Sequence, residues 1–428
     1  MLREGFSLKT NTLIIGGGIT GILTAYFLQQ KNVPYILVEK DKLCSGVTNR
    51  TTAKITYQHN LIYSRIAKQH SLESARKYLL ANKAAFNKFH ELCKDIDCDY
   101  EIKNNYVYSL NDRIVLEEEA ETLDKIGYHA EICENLKIPL KTVGALCFKS
   151  QAQFNALKFL KAISQNLTVM EDTFIHDIDG SIARAGRLDI KADKIIVATH
   201  FPFINKHGNY FLKLYQDRSY VIALANENNP QELYVDGMYI DESGKGLSFR
   251  NYKNLLFIGG GSHRTGKQGG NYSVLRKFSA KTFPNAIEKF HWATQDCMSL
   301  DGIPYIGNYS SNTPNLYTAT GFNKWGMTSS MVAAMILCDM ITGDKNTEEF
   351  ADIFSPSRSI LKPQLLVNSF ESVKNLLSFS TKRCPHLGCA LKWNPAEHTW
   401  DCPCHGSRFT QDGKVINNPA KKDIKHKN

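Results

Sequence analysis

Short apolar runs and helix-periodic stretches alternate through the first 350 residues. The run Thr12-Leu-Ile-Ile15 leads into Gly16-Gly-Gly18-Ile-Thr-Gly21, an apolar helix-compatible stretch continues to Gln30, and a second run covers Tyr35 to Glu39. That order predicts a βαβ unit. Between residues 71 and 95, Leu72, Ala75, Tyr78, Leu79, Phe86, Phe89 and Leu92 recur at helical spacing and predict an amphipathic helix. Residues 96–150 read as short strands and turns, with Glu117-Glu-Glu119 as a solvated helix face. A helix is expected over 153–164. The run Ile195-Ile-Val-Ala198-Thr199-His200 reads as a buried parallel strand that stops at a small residue.

From 210 to 290, β-branched and aromatic residues cluster between polar turns. Tyr220–Leu224, Leu233–Val235, Gly246–Arg250 and Leu255–Ile258 are the expected strands of a mostly antiparallel sheet. Gly259 to Gly266 reads as a loop near a substrate, with no clear helix after it. Further on, Asp301–Gly307 reads as a turn and Leu316–Ala319 as a buried strand. A glycine-bounded turn, Gly321–Thr328, then leads into a long apolar helix from Ser329 to Ile341. Leu361 to Phe379 reads partly helical. Past it the pattern is of short strands: a hairpin from Leu391–Trp393 to Thr399–Asp401, and Lys414–Ile416.

Composition narrows this little. A chain of 428 residues accommodates two or three domains. No run of about 18 apolar residues is present and the first residues lack a signal-peptide pattern, so the expectation is a cytoplasmic protein without a membrane partner. Cys44, Cys93, Cys98, Cys133, Cys147, Cys297 and Cys338 are scattered like buried free thiols. The net charge of +10 has no stripe of alternating aromatic and basic residues behind it, and reads as a basic surface, partly from the Lys421–Lys427 run, with no nucleic-acid partner.

Two stretches carry chemistry. Gly16, Gly18 and Gly21 stand at G-x-G-x-x-G spacing, which permits a tight turn, close approach to a pyrophosphate and packing of helix on strand. Glu39, ending the second strand, can bind ribose hydroxyls, which favours FAD or NAD over NADP. The hydroxyl-rich loop Cys44–Lys54, with Thr51 and Thr52, follows where such folds pass beside their cofactor. The second stretch pairs Cys384-x-His386 with Cys402-x-x-His405. Two thiolates and two imidazoles suit a tetrahedral zinc, or a 2Fe–2S cluster whose irons differ in ligands. Cys389 and Cys404, at matched places in the two loops, are surplus to a four-ligand site.

The C-terminal pattern closely resembles the Rieske 2Fe–2S motif, and the resemblance implies Cys384, His386, Cys402 and His405 as ligands and a Cys389–Cys404 disulfide. Related modules usually carry a Tyr where this chain has Phe409, and that hydroxyl bonds a ligand sulfur. Its loss implies a lower potential within the Rieske span of about −150 to +300 mV. The first 355 residues resemble FAD-dependent oxidoreductases of the D-amino acid oxidase and glycine oxidase type, and more narrowly bacterial flavoproteins of that type with a C-terminal Rieske module. The residues that carry this are Gly16–Glu39, Gly46–Lys54, Ala198-Thr199, Trp292–Asp296, Asp301–Gly307 and Gly321–Met327.

The resemblance implies an α/β (α+β overall) architecture: a discontinuous Rossmann-like FAD-binding domain (about 10–80, 150–204 and 295–350) and an inserted, mostly antiparallel substrate domain (about 81–149 and 205–294). A linker, 358–383, and a small β-rich Rieske module, 384–428, complete it. This linker is shorter than the interval in which the family builds several strands, which implies a truncated support for the cluster loops. The cofactor contacts implied are Gly16, Gly18, Gly21, Glu39, Thr51, Thr52, Ala198, Gly321, Gly326, Met327 and Thr328. The expected activity is hydride transfer from a small substrate, an amine or amino acid, to FAD, with electrons then passed singly to the cluster; no motif specifies the electron acceptor beyond it. A substrate carboxylate calls for an arginine clamp, for which Arg250 and Arg264 are candidates, with Tyr220 and His263 near them in sequence. Two alternatives remain at this point: a flavoprotein oxidase with a vestigial Rieske part, and an FAD-containing zinc- and RNA-binding protein.

Overall fold

The structure is a computed structural model, and it describes residues 6–380 and 382–424. The chain forms two compact units. The first comprises residues 6–49, 156–216 and 296–424, and the second residues 50–155 and 217–295. Lys425 to Lys427 of the expected basic run lie outside the described residues.

The first unit is built on a mostly parallel sheet in the order Tyr305–Asn308, Leu316–Thr320, Leu188–Val197, Phe6–Ile15, Tyr35–Val38, Val169–Met170, its first pair antiparallel. Its central strands read as continuous apolar runs because both faces are covered. Leu13, Ile14, Ile195, Ile196 and Val197 are 0–2% exposed. The helices Ile19–Gln30 and Gly326–Thr342 pack on one another, and Thr20 Oγ1 donates to Ser330 Oγ at 2.9 Å. The expected strand at Ile195 is present and parallel to both neighbours.

The second unit holds most of a nine-stranded, mostly antiparallel sheet in which Glu101–Ser109 runs parallel to Gly237–Asp241. It starts at Arg50 and not near residue 80, because Lys54–Ile55 pairs with Gly144–Gln153 and the helices Ile62–Gln69 and Leu72–Cys93 pack together. Glu119 departs from the solvated face expected of it. Its carboxylate is fully buried and accepts from Tyr63 N at 2.9 Å and Ser64 N at 2.7 Å, closing the start of the Ile62–Gln69 helix. Burial raises its pKa. Two further expectations shift. Leu233 ends a 3-10 turn, and the strand lies at Gly237–Asp241 instead. Gly259–Arg264 is no loop but the second half of a strand, followed by the helix Asn271–Thr282. Its glycines let neighbouring chains close in, since a Cβ on Gly259 would meet Ser248 Oγ at 2.6 Å.

The segment expected as a linker is firmly held at its start. Arg358 Nε and Nη2 donate to Asp301 at 2.8 and 2.9 Å. The helix Pro363–Leu377 then fills the interval before the ligand loops, where the sequence pattern placed partial helix. A four-stranded antiparallel sheet follows: Lys392–Asn394, Thr399–Asp401, Arg408–Phe409 and Val415–Asn417. No helix among the described residues is long and apolar enough to cross a membrane.

Candidate flavin and iron–sulfur sites

The glycine turn follows the first strand, and Gly16 and Gly21 leave no room for a side chain. Gly16 has φ +115°, and a Cβ there would meet Ala198 O at 2.5 Å. A Cβ on Gly21 would lie 1.9 Å from Gly16 O. Gly18 caps the helix Ile19–Gln30 in extended conformation, and Ile19 N donates to Thr48 Oγ1 at 3.1 Å. The helix's positive end therefore opens onto this turn. Glu39 stands beside it, with Oε2 accepting from Gly17 N at 2.6 Å and Oε1 from Asp41 N at 3.0 Å. Ala198 follows the central strand and donates its N–H to Ile15 O at 2.8 Å. A cradle that a Cβ would fill, a helix N-terminus and a carboxylate at the second strand's end fit the pyrophosphate and ribose of FAD.

Gly321, at φ +74°, opens the later glycine turn, which Asn323 holds by accepting from Ser299 N at 2.9 Å. Gly326, Met327 and Thr328 form the first turn of the helix Gly326–Thr342, which begins three residues earlier than expected; Met327 and Thr328 are buried. Thr51 and Thr52 fall in the second unit, where Thr51 Oγ1 accepts from Ala53 N at 2.9 Å.

The two clamp arginines are not brought together. Arg250 is 3% exposed, donates Nη1 to Gln153 Oε1 at 2.9 Å, and lies over the Phe257 ring at 5.0 Å. Its Nε has no hydrogen-bond partner, and burial lowers its pKa to about 10. Arg250 is in register with Phe257. Arg264 lies seven residues farther along that strand, about 23 Å from Phe257 at some 3.3 Å per residue, so the two candidates stand at separate places. Tyr220 and His263 do meet, with Tyr220 OH 2.9 Å from His263 Nε2. Arg218, opposite His263 in the sheet and 1% exposed, went unnoticed in the sequence because nothing local marks it.

The ligand loops of the small sheet are built alike. In the first, Cys384 N donates to Cys389 O and Gly388 N to Cys384 O, both at 2.9 Å. In the second, Cys402 N donates to Ser407 O at 2.8 Å and Gly406 N to Cys402 O at 2.9 Å. Cys389 and Cys404 form the disulfide that ties the loops together. Cys384 and Cys402 take no part in the disulfide and are buried with it in one apolar cluster that includes Phe409. Cys389, Cys402 and Cys404 have their sulfurs within 4.8 Å of one another. The His386 and His405 rings stand 5.0 Å apart.

The chemistry of His386 suits a metal cluster. Its Nε2 lies 3.0 Å from Asn205 Oδ1, an acceptor, so the proton resides on Nε2. The buried Nδ1 is left without a hydrogen-bond partner and with its lone pair available, as ligation requires. Cys384, His386, Cys402 and His405 fit a 2Fe–2S cluster with one Cys-ligated and one His-ligated iron.

The loops rest on the segment that leaves the central strand of the first unit. Gln216 Nε2 donates to His405 O at 2.8 Å, and its Oε1 lies 3.2 Å from His200 Nε2. Asn418 Nδ2 donates to Thr199 O at 2.7 Å and Phe201 O at 2.6 Å. Asn205, Gln216 and Asn418 had no signal in the sequence, since their partners are some two hundred residues away. The support expected to be truncated is supplied in this way by the flavoprotein part and by the helix Pro363–Leu377. Arg383 Nη1 and Nη2 bond to Leu376 O and Ser378 O at the end of that helix.

Fold and sites together define an FAD-dependent oxidoreductase that carries a Rieske-type 2Fe–2S domain. The chain belongs to the FAD dependent oxidoreductase family, whose description matches residues 11–340, and residues 358–427 match the Rieske [2Fe-2S] domain. It is 35% identical over 479 aligned positions to a Rieske 2Fe-2S iron-sulfur protein, YhfW, of Bacillus subtilis (strain 168), an alignment covering 97% of this chain and 93% of that protein. A cytochrome b6-f complex iron-sulfur subunit of Nostoc is 50% identical over 42 residues, 10% of this chain and 24% of that one. Among solved structures, glycine oxidase from Geobacillus kaustophilus superposes with TM-score 0.67 at 17% identity, covering 82% of this chain and all of that one. L-proline dehydrogenase from P. horikoshii gives 0.68 at 16%, covering 82% and 98%. These two establish the fold. The cofactors are FAD and a Rieske 2Fe–2S cluster, which sets the zinc reading aside.

Proposed function

We propose that this oxidoreductase oxidises a small amine or amino acid and delivers the electrons one at a time to its Rieske domain. Bound FAD supplies a hydride acceptor that can release electrons singly, and the 2Fe–2S cluster a one-electron acceptor. The observation that carries the reading is where the ligand loops rest. Asn418 and Gln216 hold them against Thr199, His200 and Phe201, the residues directly after Ala198, whose carbonyl abuts Gly16 of the dinucleotide turn. Asn205 holds the proton on His386 Nε2, so that Nδ1 faces the cluster site in its basic form. Arg250, buried with an unpartnered Nε, is the better of the two candidates for a substrate carboxylate. An amine or amino acid substrate is supported by the likeness to the fold of glycine oxidase and L-proline dehydrogenase. The complete ligand set and the disulfide favour a working cluster over a vestigial one.

The test is anaerobic mixing of the purified protein with glycine, proline and the alanine enantiomers, following flavin absorbance and the low-temperature EPR of the cluster. One of these substrates should bleach the flavin and then raise the cluster signal, with Gln216→Ala slowing only the second phase. Bleaching without any cluster signal would sink the electron route. An unbleached flavin with every amine would sink the substrate class.

A further inference from the structure

The helix Pro363–Leu377 is amphipathic with its faces reversed. Its polar side chains Asn368, Glu371 and Asn375 are buried. Asn368 Nδ2 donates to Leu212 O at 3.2 Å, and Asn375 O accepts from Ala390 N at 2.9 Å. On the other side Leu366, Phe370, Val373 and Leu377, at i, i+4, i+7 and i+11, are each more than half exposed. Leu361 and Phe379 extend this stripe beyond both ends at 82% and 102% exposure. A continuous apolar stripe facing water is the mark of a surface that something else covers.

Charge identifies what covers it. Between Leu361 and Lys392 the chain carries Lys362, Lys374, Lys382, Arg383 and Lys392, and its sole acid is Glu371. Glu371 is 7% exposed, so the exposed charges that this stretch itself carries beside the stripe are all positive. We propose that this face docks on the surface of a bilayer rich in anionic phospholipid, with the apolar stripe in the acyl boundary and the lysines among the phosphates. At 15 residues the helix is about 22 Å long, too short to span a bilayer, so it lies on the surface. Pairing with a second copy is disfavoured, because it would oppose two basic flanks with no exposed carboxylate on the helix to offset them. Arg383 also donates to Gly388 O at 2.9 Å, and Leu387 beside it is 41% exposed, so the first ligand loop would be held close to the lipid surface. This proposal does not depend on which substrate the flavin oxidises.

The experiment is flotation of the full chain, loaded with both cofactors, on vesicles rich in phosphatidylglycerol and on pure phosphatidylcholine vesicles. The protein should float with the first and far less with the second. The Phe370→Ser/Leu377→Ser variant should bind at least tenfold more weakly, and Lys374→Glu should weaken binding in a salt-dependent way. Flavin absorbance and cluster EPR should be unchanged in both variants, since the altered side chains are exposed. The proposal is overturned if the protein floats with neither vesicle, or if flotation survives the double variant. A dimer in sedimentation velocity that the double variant dissociates would overturn it in favour of a second copy.

Discussion

Arg408→Met tests how the Rieske sheet is held together beneath its second ligand loop. The Arg408 and Asp401 side chains are 2% and 1% exposed. Arg408 Nε donates to Asp401 Oδ1 at 3.0 Å, and Nη2 to Glu397 Oε2 at 2.8 Å and Thr399 Oγ1 at 3.0 Å. Removing one partner of a buried pair strands the other charge, at a cost of about 3–5 kcal/mol. Asp401 keeps two neutral donors, Asn394 Nδ2 at 3.0 Å and Thr399 Oγ1 at 2.8 Å, which puts the expected loss near the lower end, about 3 kcal/mol. With a urea dependence of about 1–3 kcal/mol per molar, the midpoint for cluster loss should fall by about 1 M or more. The assay is a urea titration read by visible circular dichroism of the cluster, with flavin fluorescence recorded alongside. Arg408→Met/Asp401→Asn, which removes the stranded charge, should recover part of the loss. A single variant within about 0.5 kcal/mol of wild type would refute the reasoning, because it would place this pair among those worth no more than surface ion pairs.

Two further outcomes are expected. His59 is 2% exposed, with Nδ1 2.7 Å from Tyr78 OH and Nε2 2.9 Å from Thr56 O, and burial lowers its pKa to about 3. The unfolded chain takes up this proton near pH 6.5 and the folded one does not, so His59's contribution is complete above pH 6.5 and shrinks as pH falls towards 3. The loss approaches about 1.4 kcal/mol per pH unit. Urea unfolding at pH 7 and pH 5 should show a shallower loss in His59→Asn, and equal slopes would count against the argument. Phe409, fully buried in the cluster's apolar surroundings, offers no hydroxyl to a ligand sulfur. Phe409→Tyr should therefore raise the reduction potential in a redox titration followed by EPR, and an unchanged or lower value would contradict the role given to that position.

The elements that carry the cofactors were legible because their chemistry is local. Gly16, Gly18 and Gly21 serve one turn and one helix start, and the Cys384–His386 and Cys402–His405 spacings each describe a single loop. The end of the Leu188–Val197 strand, from Ile195, and the hairpin from Lys392 to Asp401 were likewise readable from runs a few residues long. Glu119 was misread because charge next to charge looks solvated, and only the approach of Tyr63 and Ser64 shows that it is buried. Arg250 and Arg264 looked interchangeable for a similar reason: sequence proximity does not reveal that an extended strand carries them apart.

By itself the sequence marked a dinucleotide turn and two matched Cys/His loops, since both depend on spacing within a few residues; reading the loops as a Rieske set rested on their resemblance to that family. Only the tertiary structure decided where the ligand loops rest, through Asn205, Gln216 and Asn418 acting on partners some two hundred residues away. It also decided which way the helix Pro363–Leu377 faces. Periodicity reports that a helix has an apolar and a polar side; which side turns inward depends on what the rest of the chain offers for packing. Here Leu212 offers a backbone carbonyl that Asn368 bonds, and the polar side is the one buried.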